Sequence, residues 1–424
     1  MTAPDRPAAR MLPWLGHRLA YTLGSPLMTV AGSATTIAAP ILLDPAQFAS
    51  LALLTTVFMY AADFDIGLSR LADRELSTRT SKHSLGEFVV ARFVICSLLC
   101  LISGIAALRF GWMFATAGIA GALFMLAQGP FSFYRARSQT YQFTLTAFLI
   151  SFGQSLPRFV GLLAGGVEGM LLGMLLWYSA TAAIVNKPFL GMLTSGASQY
   201  RCRILKDAVP LFAFNYLWVV YLLSNRWFSW SVSSETDAGL FAFGASLLYV
   251  GVGVMASIGQ AYYPKHLAGT ARGPLASELL RVLLAVTAGV ALGAVFCRFG
   301  VPALFPRFAA AGLSSAVILL SGLPLCLAAW ITPVVIARST HPWRHSGGIF
   351  GSSLLLLYAS IHAAADYGVV GQSIACLPSA VLLLFCDLFV LRSIGLVEKS
   401  DLVTLAGTLA AGLGFCGAVV HGLF

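Results

Sequence analysis

The sequence predicts an all-helical protein that crosses a membrane many times, and three observations lead to this fold class. Apolar residues make up 58% of the 424 residues and charged residues only 10%, which is more apolar than a soluble core needs. Apolar runs of about 20 residues, each long enough to cross a hydrocarbon layer as a helix, recur from Leu19 to the last residue. These runs are continuous, whereas a membrane-spanning strand would alternate polar and apolar positions.

The apolar runs define thirteen predicted spans in two sets. The first six cover residues 19–43, 48–68, 88–108, 112–133, 143–163 and 170–185. The other seven cover residues 209–230, 240–263, 279–299, 311–336, 349–365, 370–391 and 402–423. Turns that contain an acid precede the second and eighth spans, and Pro210 opens the seventh. Predicted bends lie at Gly129, Pro157, Pro324 and Pro333.

The connecting segments carry most of the positive charge, and they predict the orientation. Twenty of the 26 Lys and Arg residues fall on segments that lie on one side of this layout. Because cytoplasmic loops are enriched in basic residues, we expect an inner or plasma membrane protein with a cytoplasmic N-terminus and an outside C-terminus. The net charge of +10 is mainly a result of this topology, and no segment has the pattern of a nucleic-acid-binding domain.

The two halves of the chain show a weak internal repeat. An offset of 190 residues sets Ala52 against Ala242 and the second span against the eighth. Six spans precede the long basic connection at 187–206, and another six follow it before the thirteenth. We therefore expect two six-helix lobes around a central cavity, at residues 1–200 and 201–395, and a peripheral extra transmembrane helix at 396–424.

Two segments resemble a known family. LLDPAQFASLALLTTVFMYAADFDIGLSRLADRELS and KDAVPLFAFNYLWVVYLLSNRWFSWSVSSETDAGLFAFGASLLYV are similar to the two repeats of polysaccharide-export flippases of the O-antigen type, in the multidrug/oligosaccharidyl-lipid/polysaccharide (MOP) superfamily. The family has an acid before a basic residue where this chain has Asn225 before Arg226. The resemblance implies a lipid-linked saccharide as substrate, with membrane lipids and other polysaccharide assembly proteins as partners.

Polar residues inside the spans are the candidates for the transport site, because such groups are costly in lipid and usually face a polar path. Arg158 follows Pro157 and shares a helix face with Gln154, while Arg226 lies near the outer end of the seventh span. Arg92 is expected to reach the inner interface with its long side chain. The predicted substrate-binding residues are Arg158, Gln154, Arg226, Asn225, Asn215, Gln128 and Gln260, and the predicted coupling acids are Asp63 and Asp65.

Three functions are compatible with the sequence. A lipid-linked oligosaccharide flippase accounts for cations within spans, since arginine binds phosphate oxygens through two hydrogen bonds. A multidrug or small-metabolite antiporter of the same fold would have a firmer acidic site in its central spans. An envelope-synthesis enzyme would need a long loop with a catalytic cluster, and the sequence has none. The sequence thus favours a flippase with no catalytic, metal or cofactor site.

Overall fold

The computed structural model describes residue 35 and residues 38–77, 83–136, 140–193, 203–267, 275–338 and 342–424. Every regular element in these ranges is helical, which confirms the predicted all-α class. The helices are α1 (Pro45–Ala62), α2 (Leu68–Ser77), α3 (Leu85–Phe110), α4 (Trp112–Gln128), α5 (Pro130–Ala136), α6 (Thr140–Asn186), α7 (Arg203–Val232), α8 (Glu235–Leu267), α9 (Leu275–Val295), α10 (Gly312–Leu320), α11 (Gly322–Arg338), α12 (Pro342–Ala363), α13 (Gly368–Ser393) and α14 (Lys399–Leu423). Short helical turns connect some of them, at Lys187–Phe189, Phe296–Gly300, Val301–Leu304, Pro306–Ala311 and Ala365–Tyr367.

The predicted spans correspond closely to these helices. Eight helices in the described ranges are long and apolar enough to cross a membrane, or ten if each of two bent pairs crosses as one span. The predicted spans from the second to the thirteenth all fall on helices, although the fifth and sixth share α6 and the tenth is divided between α10 and α11. Most of the first span, at 19–43, lies outside the described residues, so the total of thirteen stays a prediction.

The second span ends earlier than the sequence predicts. We expected it to reach Leu68, but α1 stops at Ala62. Ile66 and Gly67 both have positive φ angles, which a helix cannot contain. The Asp65 carboxylate accepts backbone hydrogen bonds from Gly67 and Ser69, at 2.8 and 2.9 Å, and so fixes a turn before α2 begins.

Helix α6 is a hairpin of two spans. Its backbone is not helical at Gly165 and Gly166, which lie between the predicted fifth and sixth spans. A Cβ atom on Gly161 would meet the carbonyl oxygen of Gly169, so the two arms pack backbone to backbone. Farther along, Trp177 Nε1 donates a hydrogen bond of 2.9 Å to the carbonyl of Leu149 on the opposite arm.

Each half of the chain packs mainly on itself. In the first half α4 lies between α1, α3 and α6, and in the second half α7 packs on α12, α12 on α13 and α8 on α11. This packing agrees with two lobes, whose boundaries at 200 and 395 stay a prediction. Helix α14 packs on α9 and α10, while Val403 and Phe415 on its other face are exposed.

Helix α1 is where the two halves meet. Near its start, Phe48 packs edge-on against Phe243 of α8, with ring centroids 6.3 Å apart. Just after its end, Phe64 contacts Phe212 of α7 at 5.1 Å, and Gly67 lies against the carbonyl of Ala208. One helix therefore contacts the second half at both ends.

We call the end of the bundle with Arg70, Lys206 and Arg392 the basic end.

Candidate functional site

Two buried arginines, one from each half, form the centre of the candidate site. Arg158 lies on the first arm of α6 and Arg226 lies on α7, and each is 5% exposed. Among the described residues, neither guanidinium pairs with a carboxylate. A buried charge without a partner of opposite sign is costly, so this pair of cations indicates a site for an anion.

Arg158 lies against an aromatic wall of the first half. Its Cζ atom is 5.8 Å from the centre of the Phe58 ring, within cation–π range. Tyr178, which also interacts electrostatically with this arginine, stacks on Phe58 and packs edge-on to Phe124. Arg158 Nε and the Tyr178 hydroxyl make no hydrogen bond within the described part of the protein. Both groups can therefore bond to a ligand.

Arg226 is held by α8. Its Nη2 donates a hydrogen bond of 3.0 Å to Ser246 Oγ, and its Cζ lies 6.0 Å from the centre of the Tyr249 ring. The preceding residue, Asn225, is buried and its Oδ1 accepts no hydrogen bond from the described residues. Asn225, Tyr249 and Tyr221 line a cavity of about 10 Å³. The site thus offers amide and hydroxyl groups next to its second cation.

Tyr249 connects the two arginines. It is only partly buried on α8, and it interacts electrostatically with Arg158, Arg226 and Asp63. On the facing helix α1, the Tyr60 hydroxyl shares a hydrogen bond of 3.0 Å with Ser224 of α7. These tyrosines belong to no motif that we could recognise in the sequence. Their polar tips within apolar spans were the available signal.

The structure does not bring all of the predicted site residues together. The Gln154 carbonyl accepts a hydrogen bond of 3.3 Å from Thr35, and its side chain is half-buried one turn from Arg158. Gln128 is the last residue of α4, beside Gly129, which lies against the Arg92 side chain, and Gln128 makes no hydrogen bond to Arg158 or Arg226 in the described structure. Asn215 and Gln260 lie on α7 and α8, but their side chains are outside the described part of the structure. Their predicted role stays a prediction.

The two predicted coupling acids lie in different environments. Asp63 follows the last residue of α1, and its carboxylate accepts no hydrogen bond from the described residues. Burial, with a smaller contribution from the charge of Asp65, raises the pKa of Asp63 to about 7, and Arg70 acts in the opposite direction. The Asp65 carboxylate already accepts hydrogen bonds from the backbone N–H groups of the turn that it stabilises. Of the two acids, Asp63 is therefore the one whose carboxylate has no hydrogen bond to the described residues.

Arg92 does not reach the interface, and that prediction is wrong. It is 2% exposed, because α2 and α5 cover the end of α3 from which it projects. Its Nη2 donates hydrogen bonds to Ser69 and Ser132, at 3.0 and 3.2 Å, and its Cζ lies 5.0 Å from the Phe133 ring centre. The Arg92 side chain therefore links α3 to α2 and α5, which is a structural role.

Comparison with known proteins gives matches in structure alone. No protein-family model and no curated protein matches the chain. An inward-facing multidrug resistance MATE family transporter of the MOP superfamily matches with a TM-score of 0.65 at 12% identity, over 88% of this chain and 97% of that one. The lipid II flippase MurJ in an inward closed conformation matches with a TM-score of 0.62 at 11% identity, over 96% and 97%. An outward-facing MATE transporter matches with a TM-score of 0.59 at 13% identity, over 89% and 96%.

These matches confirm the predicted fold. The chain is a multi-pass membrane protein with the fold that these MATE transporters and MurJ share. Identities of 11% to 13% show the fold alone. The O-antigen flippase type that the sequence resembles is a narrower assignment within that fold.

Proposed function

We propose that this protein flips a lipid-linked oligosaccharide, carried on a polyprenyl diphosphate, across the inner or plasma membrane for surface polysaccharide synthesis. The observation that supports the proposal is a pair of buried arginines, one from each half, neither of which pairs with a carboxylate of the described residues. A lipid tail can stay in the bilayer during transport. The diphosphate and the sugars cannot cross hydrocarbon unaided and need a polar path.

The chemistry of the site suits a diphosphate. Two guanidinium groups offer planar forks of donors that match phosphate oxygens, and both stay charged inside the protein. Arg158 Nε and the Tyr178 hydroxyl, which make no hydrogen bond to the described residues, add donors on one side of the site, and Asn225 lies on the other. Hydroxyl and amide groups of this kind also bond to sugar hydroxyls.

The placement of the arginines suits alternating access. Because Arg158 belongs to the first half and Arg226 to the second, a ligand bound to both would connect the halves at the centre of the bundle. Rocking of one half against the other would then expose the same site first at one face of the membrane and then at the other.

A multidrug or small-metabolite antiporter is the second candidate. One observation favours it, because Asp63 is a titratable carboxylate within electrostatic reach of Tyr249, and a carboxylate would suit a cationic drug. The adjoining arginines would repel such a cation. An enzyme of envelope synthesis is the third candidate, although the MATE and MurJ structures reported above are transporters and a flippase.

The test is a strain that lacks the chain. We expect the lipid-linked saccharide to accumulate on the inner leaflet with a complete glycan, because synthesis precedes transport. Mass spectrometry of the extracted carrier lipid gives the glycan structure, and an impermeant sugar-oxidising reagent gives the leaflet. A truncated glycan would contradict the proposal and favour the enzyme. An unchanged saccharide pathway with altered sensitivity to toxic compounds would favour the antiporter.

A further inference from the structure

His83 connects the two halves at the basic end. It lies just before α3, is 6% exposed, and its Nε2 is 3.2 Å from Asp207 Oδ2 on α7 of the second half. Its other ring nitrogen, Nδ1, lies 3.6 Å from Glu87 Oε2 in its own half. A hydrogen bond to a carboxylate in a partly buried setting is stronger than one between neutral groups.

The first half holds His83 firmly. Its backbone N–H donates a hydrogen bond of 3.1 Å to Glu75 Oε2 on α2, and its ring packs edge-on to Phe88. Glu87 Oε2 accepts a hydrogen bond of 2.8 Å from the Ser84 backbone in a capping box that starts α3. The ring therefore has a fixed position from which it meets Asp207.

Close packing accompanies this hydrogen bond. A Cβ atom on Gly67 would meet the carbonyl oxygen of Ala208, the residue after Asp207. Phe64 packs edge-on to both Phe212 and Tyr216 of α7, with ring centroids 5.1 and 5.2 Å apart. These rings lie between the arginine pair and the His83–Asp207 contact, because Tyr216 also contacts Tyr60, whose hydroxyl reaches Ser224 beside Asn225.

We propose that the contacts of His83 with Asp207, Gly67 with Ala208, and Phe64 with Phe212 and Tyr216 form a gate, the basic-end gate, that closes the site toward the basic end. The gate holds the end of α1 against the start of α7. These two segments must separate before the arginine pair can open to that face. Because the gate consists of contacts within the protein, it acts whatever the substrate is.

The gate can be tested by labelling, with no substrate present. Ser224→Cys places a thiol at the level of the arginine pair, and a membrane-impermeant maleimide applied to the basic face labels it only when that face is open. We expect Asp207→Ala to raise the labelling rate at residue 224 several-fold, measured by mass spectrometry of the peptide. Asp207→Asn keeps an acceptor and should raise the rate less. Lys206→Ala changes the exposed neighbour and is the matched control.

A second experiment locks the gate closed instead of opening it, and it tests the proposal even if Asp207→Ala does not fold. Asp207→His places two imidazoles face to face, and micromolar Zn²⁺ should bridge them and lower the labelling rate at residue 224 several-fold. A chelator should restore the rate, and the Ser224→Cys parent should not respond to zinc. Equal labelling of Asp207→Ala and Lys206→Ala, or no zinc effect in folded Asp207→His, would overturn the gate. Neither outcome would bear on the lipid-linked saccharide, which only the deletion strain tests.

Discussion

Arg158 and Arg226 reach one site from unlike local sequences. Arg158 follows a proline and lies against Phe58, whereas Arg226 follows an asparagine and is held by Ser246. What they share is burial without an acidic partner in the described structure. A buried cation of this kind gains most from a ligand that neutralises it, so each arginine should matter more for transport than for folding.

The first prediction concerns these two guanidinium groups. Arg158→Ala or Arg226→Ala should lower flipping by about 10- to 100-fold, the loss expected for one charge-assisted contact. Arg158→Lys should recover part of the activity, because an ammonium keeps the charge but loses the planar fork. The measurement is complementation of the deletion strain with the membrane level of each variant. Arg109→Ala, at an exposed arginine, is the control, and full activity of both alanine variants would contradict the prediction.

The second prediction concerns Tyr249. Tyr249→Phe keeps the ring that faces Arg226 and removes the hydroxyl between the two cations. We expect about fivefold lower flipping at an unchanged protein level, because the substrate would lose one hydroxyl partner, and a neutral hydrogen bond is worth about 1 kcal/mol. Tyr367→Phe, at an exposed tyrosine, should leave the rate unchanged.

The third prediction concerns pH and Asp63. Its pKa of about 7 lies above the value of about 3.9 in an unfolded chain, so the folded protein holds this proton more tightly. The stability of the folded state therefore falls as pH rises from about 4 to about 7. Asp63→Asn removes this loss, and should raise the melting temperature relative to wild type at pH 8 but hardly at pH 4.

The groups that face Asp63 define the controls for this pH experiment. Asp65 and Arg70 lie on its own segment, and Tyr216 and Tyr249 approach from α7 and α8. Glu235→Gln, at the exposed first residue of α8, is the matched control. A melting temperature of Asp63→Asn that follows wild type across the pH range would rule out titration of this residue.

The charged residues of the candidate site could be predicted from the sequence, but its tyrosines could not. Arg158 and Arg226 could be found because an ionisable residue within an apolar run is rare and costly. Tyr249, Tyr178 and Tyr60 could not, since tyrosine fits an apolar span and only tertiary contacts show which hydroxyl faces a cation. The burial of Arg92 was missed for a related reason, because the covering helices come from other parts of the chain.

At the scale of elements, hydropathy predicted helices well and their ends less well. Length and composition fix a span, and Gly165 and Gly166 marked the hairpin turn where the prediction placed a gap. The end of α1 was misplaced because hydropathy does not register a capping carboxylate. The Asp65 carboxylate accepts hydrogen bonds from the backbone of Gly67 and Ser69, and so stabilises a turn within a stretch that hydropathy alone assigns to the span.

The fourth prediction concerns the α6 hairpin. Gly161→Val should destabilise the protein by about 1–3 kcal/mol, because the new side chain would meet the Gly169 backbone and push the arms apart. Thermal unfolding in detergent measures this, and the fraction of monodisperse protein should fall with it. Gly104→Val, in α3 with open space around it, is the matched control. Equal stability of the two variants would mean that the arms do not pack as described.

At the scale of the whole molecule, the distribution of charge predicts the orientation. The basic end carries Arg70, Lys206 and Arg392, whereas Arg109 and Arg307 lie at the opposite end. A sequence predicts such a bias because membrane insertion itself depends on it. The position of α1 between the two halves could not be predicted, since it depends on contacts between residues about 150 to 200 positions apart.

The fifth prediction concerns this orientation. Reporter fusions after Lys206 should be active in the cytoplasm, and fusions at the C-terminus should be active outside. Paired reporters, one active only in the cytoplasm and one only outside, make each site its own control. A fusion after Lys206 that is active outside would overturn the layout, whereas a cytoplasmic C-terminus would overturn only the transmembrane placement of α14.

The position of α1 has a consequence for leakage. Its start packs on α8 and its end packs on α7, at opposite ends of the bundle. A rigid rod fastened at both ends and pivoting near its middle can loosen one fastening only as it presses on the other. If α1 tilts about Phe58, one of its two contacts with the second half opens while the other tightens. The site would therefore stay closed toward at least one face of the membrane at all times.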